Sequence, residues 1–254
     1  MTGEPTIRIG ADSESTSRAA AEAIALALRE AAEERGRADW ATTGGSVPVG
    51  IYRALAVPPL LGLVPWAAVH VWWGDDRFVA RDDPLSNVLP FDRELLPYVS
   101  LAPANIHAPK MAEAIAAGLG VESVAAAYEM ALAGADLPVD DQGFPILDVV
   151  LVGIGGDGHV LSVFPGSPLI DAEAWVSPVP APTHIEPHVA RVSLHPRILA
   201  AARLPMVVAH GAGKAAILAS VLGPERDEHR WPAQFARRRG AIWFLDRAAA
   251  TSLP

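Results

Sequence analysis

The sequence predicts an α/β fold, a Rossmann-like and mostly parallel sheet with helices on both faces. Short apolar runs rich in β-branched residues alternate with longer segments of helical period along the chain, the order that parallel strands and their crossovers produce. The run at residues 146–152 is too short for a helix and reads as a strand buried on both faces. Four glycines, Gly153, Gly155, Gly156 and Gly158, follow it directly. A buried strand that ends in such a loop is where open α/β sheets keep their chemistry.

The elements follow in order. Residues 6–9 are a short β-type run. Residues 13–34 form a helix with Ala20, Ala23, Ile24, Ala27, Leu28 and Ala31 on one face, and the Ser/Thr-rich start supplies a cap. A second strand at 39–43 is broken by Gly44, Gly45 and Ser46, and 47–56 reads as a helix with Pro48 in its first turn, where proline is tolerated. Residues 58–65 are a linker, 68–73 a third strand and 74–77 a polar loop. Residues 83–96 are mostly helical with a break near Pro90, 105–107 a short strand, and 111–133 an alanine-rich helix interrupted around 118–120. After the central strand, 189–194, 204–209 and 241–245 are strands and 214–222 is a helix. There is no internal repeat and no low-complexity tract.

Composition narrows the function. A chain of 254 residues that is 51% hydrophobic buries a sizeable core, and one domain spanning 1–254 is expected. A net charge of −9 argues against a general binder of nucleic acid or anionic membranes. It leaves room for a small anionic substrate, which needs only a local cluster of positive groups. The chain has no cysteine, hence no disulfide framework and no thiolate nucleophile or ligand. Residues 1–10 lack the apolar core of a signal peptide, and no run of about 18 apolar residues is present to cross a bilayer. A soluble, cytoplasmic, monomeric protein is expected.

Chemistry-bearing residues sit at the strand-to-loop junctions. His159, flanked by Asp157 and preceded by the glycine loop, reads as the reactive group. Glycine lets backbone N–H groups approach a ligand closely. Gly44, Gly45 and Ser46 open a helix, where free N–H groups and the macrodipole favour an anion by typically ~0.3–1 kcal/mol. An ordinary capped turn has the same appearance. Asp75, Asp76 and Arg77 follow the third strand; a strand-end arginine grips phosphate bidentately, or pairs with its neighbouring aspartates. Lys214, after Gly211 and Gly213, points at an anion or at solvent.

Other patterns are set aside. Residues 153–158 fit G-x-G-x-x-G, but Phe164, Pro165, Gly166 and Pro168 deny the helix that dinucleotide binding requires. His184 and His188 have metal-ligand spacing, but Pro187 prevents the helix that would put them on one face. Arg237, Arg238 and Arg239 read as a solvated charge run. There is no G-x-S-x-G elbow for a serine nucleophile.

Together the junctions resemble the 6-phosphogluconolactonase family over about residues 6–245. The motifs are Thr43 to Pro48; Trp73 to Arg77 with Asp83, Ser86 and Asn87; Gly153 to His159 through Phe164 and Pro165; Arg191 to Leu194; and Gly213 with Lys214. The resemblance implies the fold of glucosamine-6-phosphate deaminases and ribose-phosphate isomerases, with neither cofactor nor metal. It also implies hydrolysis of 6-phospho-D-glucono-1,5-lactone to 6-phosphogluconate in the oxidative pentose phosphate pathway, with a histidine base. His159 then acts as general base, with Asp157 or Asp75 orienting it. N–H groups of the 155–158 loop, Gly155 and Gly156 among them, become oxyanion donors. Gly44, Gly45, Ser46, Arg77 and Lys214 hold the phosphate, and Arg191 joins them or serves the fold.

The chain departs from the family at Asp76, usually glutamate, at Val160 and Leu161, usually Thr-Ala, and at His195, usually a smaller polar residue. The deaminases share the Asp-Gly-His loop but need a glutamate where this chain has Phe164, and carry a tyrosine where it has Arg77. A non-catalytic sugar-phosphate sensor ranks third, since such regulators carry a DNA-binding module for which this chain has no room.

Overall fold

The computed structural model describes residues 3–253, so the first two residues and the last lie outside it. The chain begins β1 (Thr6–Gly10), α1 (Ser13–Arg35), β2 (Ala38–Thr42), α2 (Val47–Leu55) and α3 (Leu60–Leu63). Next come β3 (Val69–Trp73), β4 (Asp75–Arg77), α4 (Leu89–Glu94), β5 (Ile106–His107), α5 (Met111–Ala116) and α6 (Val121–Ala133). The second half holds β6 (Val149–Val152), β7 (Val176–Val179), β8 (Arg191–Leu194), α7 (Arg197–Ala201), β9 (Leu204–Ala209), α8 (Ala215–Val221) and β10 (Ile242–Asp246).

Seven strands form a parallel sheet in the order β1-β10-β9-β6-β2-β3-β5. A small antiparallel sheet, β4-β8-β7, stands beside it. Successive strand residues face opposite sides, so each face of the large sheet has its own core. Trp40, Val71, Trp73, Val149, Leu151 and Phe244 pack with Ile24, Leu28, Ile51 and Phe91 on one side. Ala41, Trp72, Val150, Val152, Val207 and Trp243 pack with Val124, Tyr128, Val192 and Leu218 on the other. All four residues of β6 are fully buried, which is why its sequence is apolar without alternation. α1 is fixed at both ends: Asp12 and Ser15 form a reciprocal capping box, and Gly36 closes it at φ 72°.

The structure corrects several sequence expectations. The polar stretch at 74–77 is not a loop, because Asp75–Arg77 pairs with β8. The helix expected over 83–96 is confined to α4. Asp83 Oδ1 accepts from Leu85 N at 2.8 Å, and Asp76 Oδ1 from Asn87 N at 2.7 Å; such side-chain bonds divert the backbone from a helix. Pro90 lies in the first turn of α4, where it starts the helix instead of breaking it. The 58–65 linker contains α3.

Arg237 and Arg238 are only 7% and 5% exposed. Arg237 pairs with Glu4 at 2.8 Å, and Arg238 donates to the carbonyls of Leu199 and Ala202. Sequence reading also missed β7, whose Pro178 is tolerated because β7 is an edge strand. Among the described residues no helix is long and apolar enough to cross a membrane.

Candidate active site

β2 and β6 are neighbours, but the chain leaves them in opposite directions: outward to β3 and β5 from β2, and to β9 and β10 from β6. Their carboxyl-end loops diverge and open a crevice, the switch point where open α/β sheets take ligands. A cleft of about 360 Å³ occupies it. Gly44, Gly45, Ser46, Asp75, Arg77, Gly155, Gly156, His159, Arg191 and Lys214 all line this cleft. Asp157 is not on its wall but stands against His159.

His159 Nδ1 lies 2.6 Å from Asp157 Oδ1, and that oxygen also accepts from the His159 backbone N–H at 3.1 Å. Burial alone would raise the Asp157 pKa, but the hydrogen bond and charge of His159 outweigh it and hold the carboxyl down at about 2. An ionised carboxylate only accepts, so Nδ1 carries the proton of this contact, and Nε2 has no hydrogen-bond partner among the described residues. The ring also packs on Phe164, centroids 4.8 Å apart. Gly155 makes room for it: a Cβ there would sit 2.0 Å from His159 Nδ1. Gly155 N donates to His159 O and Gly158 N to Gly155 O, so those two N–H groups are spent inside the loop. Gly156 N has no such bond among the described residues.

No helix follows the glycine loop. Val160 and Val163 bridge each other, and Leu161 sits between them at φ 57°, a conformation costing roughly 1–2 kcal/mol for a residue with a Cβ. That turn delivers Ser162, whose Oγ donates to Asp75 Oδ2 at 2.6 Å. Asn87 Nδ2 donates to Asp75 Oδ1 at 3.1 Å and to its carbonyl at 2.9 Å. Asp75 is thus engaged away from the imidazole, and Asp157 is the aspartate in contact with it.

The cationic wall comes from the small sheet. Arg77 and Arg191 are direct cross-strand partners, both line the cleft, and each leaves its Nε buried without a hydrogen-bond partner among the described residues. Like charges directly opposite on two strands repel. Two such arginines with idle donors are arranged for an anion between them. On the other side the N–H groups of Gly44, Gly45 and Ser46 make no backbone hydrogen bond among the described residues, and Ser46 heads α2 without a side-chain cap. Lys214 Nζ donates to Ile154 O at 2.6 Å, which leaves two of its three donors and fixes the ammonium beside the glycine loop. Burial lowers its pKa, and the charge of Asp157 opposes that shift.

Some residues at the site carried no usable sequence signal. Ile185 and Glu186 line the cleft from the 180–190 segment, a stretch that attracted notice only for its histidine spacing. His184 Nε2 stands 3.8 Å from Asp157 Oδ2, while His188 Nδ1 bonds to Pro182 O at 2.6 Å. The two histidines face different partners. His210, at the end of β9, also lines the cleft. His195 does not: it is 2% exposed and packs between Phe144 and Phe235, so its departure from the family leaves the cleft untouched.

Fold and site together define an α/β protein whose cleft, lined by Arg77, Arg191 and Lys214, opens at the carboxyl ends of a parallel sheet. The family of glucosamine-6-phosphate isomerases and 6-phosphogluconolactonases matches residues 11–244, and the chain belongs to it. A 6-phosphogluconolactonase from Streptomyces coelicolor is 36% identical over 100% of this chain and 97% of its own. The structure of 6-phosphogluconolactonase from Trypanosoma brucei superposes with a TM-score of 0.86 at 28% identity, covering 99% of each chain. A monomeric glucosamine-6-phosphate deaminase, 18% identical, superposes at 0.79 over 97% of this chain and 99% of its own. That likeness shows the shared fold, as the sequence led one to expect.

Proposed function

We propose that the protein is a lactone hydrolase that opens 6-phospho-D-glucono-1,5-lactone to 6-phosphogluconate, with His159 as the general base. The observation that carries the reading is that one cleft holds both an Asp157-bound imidazole and a facing pair of arginines with unpaired donors. The first suits water activation and the second a phosphate.

In this scheme Nε2 of His159 takes a proton from water as its oxygen attacks the lactone carbonyl carbon. The carbonyl electrons move onto oxygen, and Gly156 N–H faces the oxyanion. When the tetrahedral intermediate collapses, the bond from that carbon to the ring oxygen breaks, and the imidazolium returns its proton to the departing oxygen. Asp157 stabilises the imidazolium meanwhile. Arg77, Arg191, Lys214 and the Gly44–Ser46 amides hold the phosphate, and the buried Asp75 contacts the sugar hydroxyls.

Phe164 favours hydrolysis over deamination. A deaminase is expected to place a carboxylate at this position, whereas Phe164 presents an apolar ring to His159 and to the Arg191 guanidinium, 5.4 Å from its centroid. The test is to supply 6-phosphogluconolactone in situ and, separately, glucosamine 6-phosphate. Lactone opening well above the spontaneous rate with no ammonia release is expected; ammonia release without lactone opening would reverse the assignment.

A further inference from the structure

Seven of the eight histidines in the chain have a partner. His70 and His107 bond to each other at 2.9 Å, and His159 and His184 face Asp157. His188 bonds to Pro182 O, His195 Nδ1 accepts from Arg197 N at 3.0 Å, and His229 lies 3.4 Å from Asp171. His210 has none among the described residues, and its Nε2 is buried. A buried polar atom without a partner is costly and calls for an explanation.

The surroundings supply one. His210 is the residue that leaves β9, and it lines the cleft together with Ser46 and Lys214. The next residue, Gly211, is pinned: its N–H is shared by both Asp246 carboxylate oxygens at 3.0 Å, at a φ of 87°. Asp246 is itself buried and held by Ala249 N at 2.7 Å. The turn carrying His210 and Lys214 is therefore rigid, so the imidazole's position is built in. Ser46 and His210 are also the two residues that the cleft shares with a neighbouring cavity of about 720 Å³ between α1 and α2. They form the partition between the two spaces.

We infer that His210 is a further substrate-binding residue, whose ring N–H donates a hydrogen bond to the phosphate held by the Gly44–Ser46 loop and Lys214. Burial keeps the imidazole pKa below its ordinary value, with Asp246 opposing. A neutral ring still offers one N–H, and a phosphate oxygen is an acceptor that would match it. The contact also closes the partition, so the phosphate end of the substrate stops at His210 and does not extend into the second cavity. The inference rests on the phosphate reading of the cleft and adds a residue outside the motifs that carry the resemblance.

The experiment measures binding of 6-phosphogluconate and of gluconate by calorimetry, alongside KM and kcat for the phosphorylated and bare lactones. The proteins are wild type, His210→Leu and His210→Gln. Leucine fills the space without a donor, and glutamine restores an N–H near the Nε2 position. His210→Leu is expected to weaken 6-phosphogluconate and raise KM for the phosphorylated lactone by roughly ten- to a hundred-fold, the effect of a hydrogen bond to a charged group. Its kcat and its KM for the bare lactone should stay within about threefold of wild type, a smaller change than one such bond produces, and His210→Gln should recover most of the loss. If His210→Leu binds 6-phosphogluconate like wild type, or loses equally on both substrates, the inference is wrong while the cleft assignment stands. If wild type itself shows no preference for the phosphorylated compounds, the phosphate reading fails first and takes this one with it.

Discussion

A methyl group on Gly155 would meet His159 Nδ1 at 2.0 Å and Asp157 Oδ1 at 2.6 Å, so imidazole and carboxylate would have to part. Gly155→Ala is therefore expected to lower kcat about 10²-fold, the effect of an ångström-scale misplacement of a reacting group, with a circular dichroism spectrum like that of wild type. A Gly155→Ala enzyme with native kcat would mean that the dyad geometry is not needed. Asp157→Asn tests the same pair electronically. A neutral amide neither fixes the Nδ1–H tautomer reliably nor stabilises an imidazolium, so kcat should fall by roughly 10²–10⁴ with KM little changed. Unaltered kcat would remove Asp157 from the mechanism. At this scale the sequence was informative about residue types and silent about contacts. Asp157 and Asp75 were equal candidates on paper; what separates them is Ser162, brought onto Asp75 by a turn whose positive-φ residue, Leu161, is not a glycine.

At the scale of elements, the small β4-β8-β7 sheet is what sets two arginines side by side on the cleft wall. Of its three strands β8 was legible, while β4 and β7 were missed because their residues do not look like strands. Asp75–Arg77 is wholly charged, and it is a strand only because β8, far along the chain, pairs with it. The central strands β6 and β9 of the large sheet were legible for the opposite reason, since burial on both faces leaves an apolar run that the eye finds. The loss of Arg77 should be felt at the anion. Arg77→Ala is expected to raise KM for the phosphorylated lactone at least tenfold, the effect of one charge-assisted hydrogen bond, and to affect the bare lactone less. Equal losses on both would assign Arg77 to the fold, through its bond to Leu85 O at 2.8 Å.

For the whole molecule, buried titratable groups give the stability a dependence on pH with opposing parts. Burial, aided by neighbouring positive charge, pushes His107 and His195 down to about 4. Unfolded, each takes a proton near ~6.5, so the unfolded state binds more protons between those values and stability falls as pH drops through that window. Asp76 acts in the other sense. Burial pushes its carboxyl up to about 7, against the N–H bonds of Asn87 and Arg77. Unfolded, it ionises near ~3.9, so the native state holds the extra proton and stability falls as pH rises toward 7. Asp76→Asn keeps an acceptor for both N–H groups and removes the ionisation. Urea denaturation should find it more stable than wild type at pH 8 and closer to wild type at pH 5. A variant destabilised equally at both would show that the carboxyl is needed for packing. Nothing in the sequence pointed here, because an aspartate beside an aspartate and an arginine reads as solvated until the fold encloses it.

The direct measurement is steady-state hydrolysis of 6-phosphogluconolactone by wild type and His159→Ala, with spontaneous opening subtracted at every pH. Wild type should accelerate opening, and the variant should lose roughly 10²–10⁴ in kcat with KM nearly unchanged, because the phosphate contacts lie on other elements. Its fold should survive, since the imidazole stands in a glycine loop at the rim of the sheet. A folded His159→Ala protein with near-native kcat would contradict the account and leave Asp157 or Asp75 as the group that activates water.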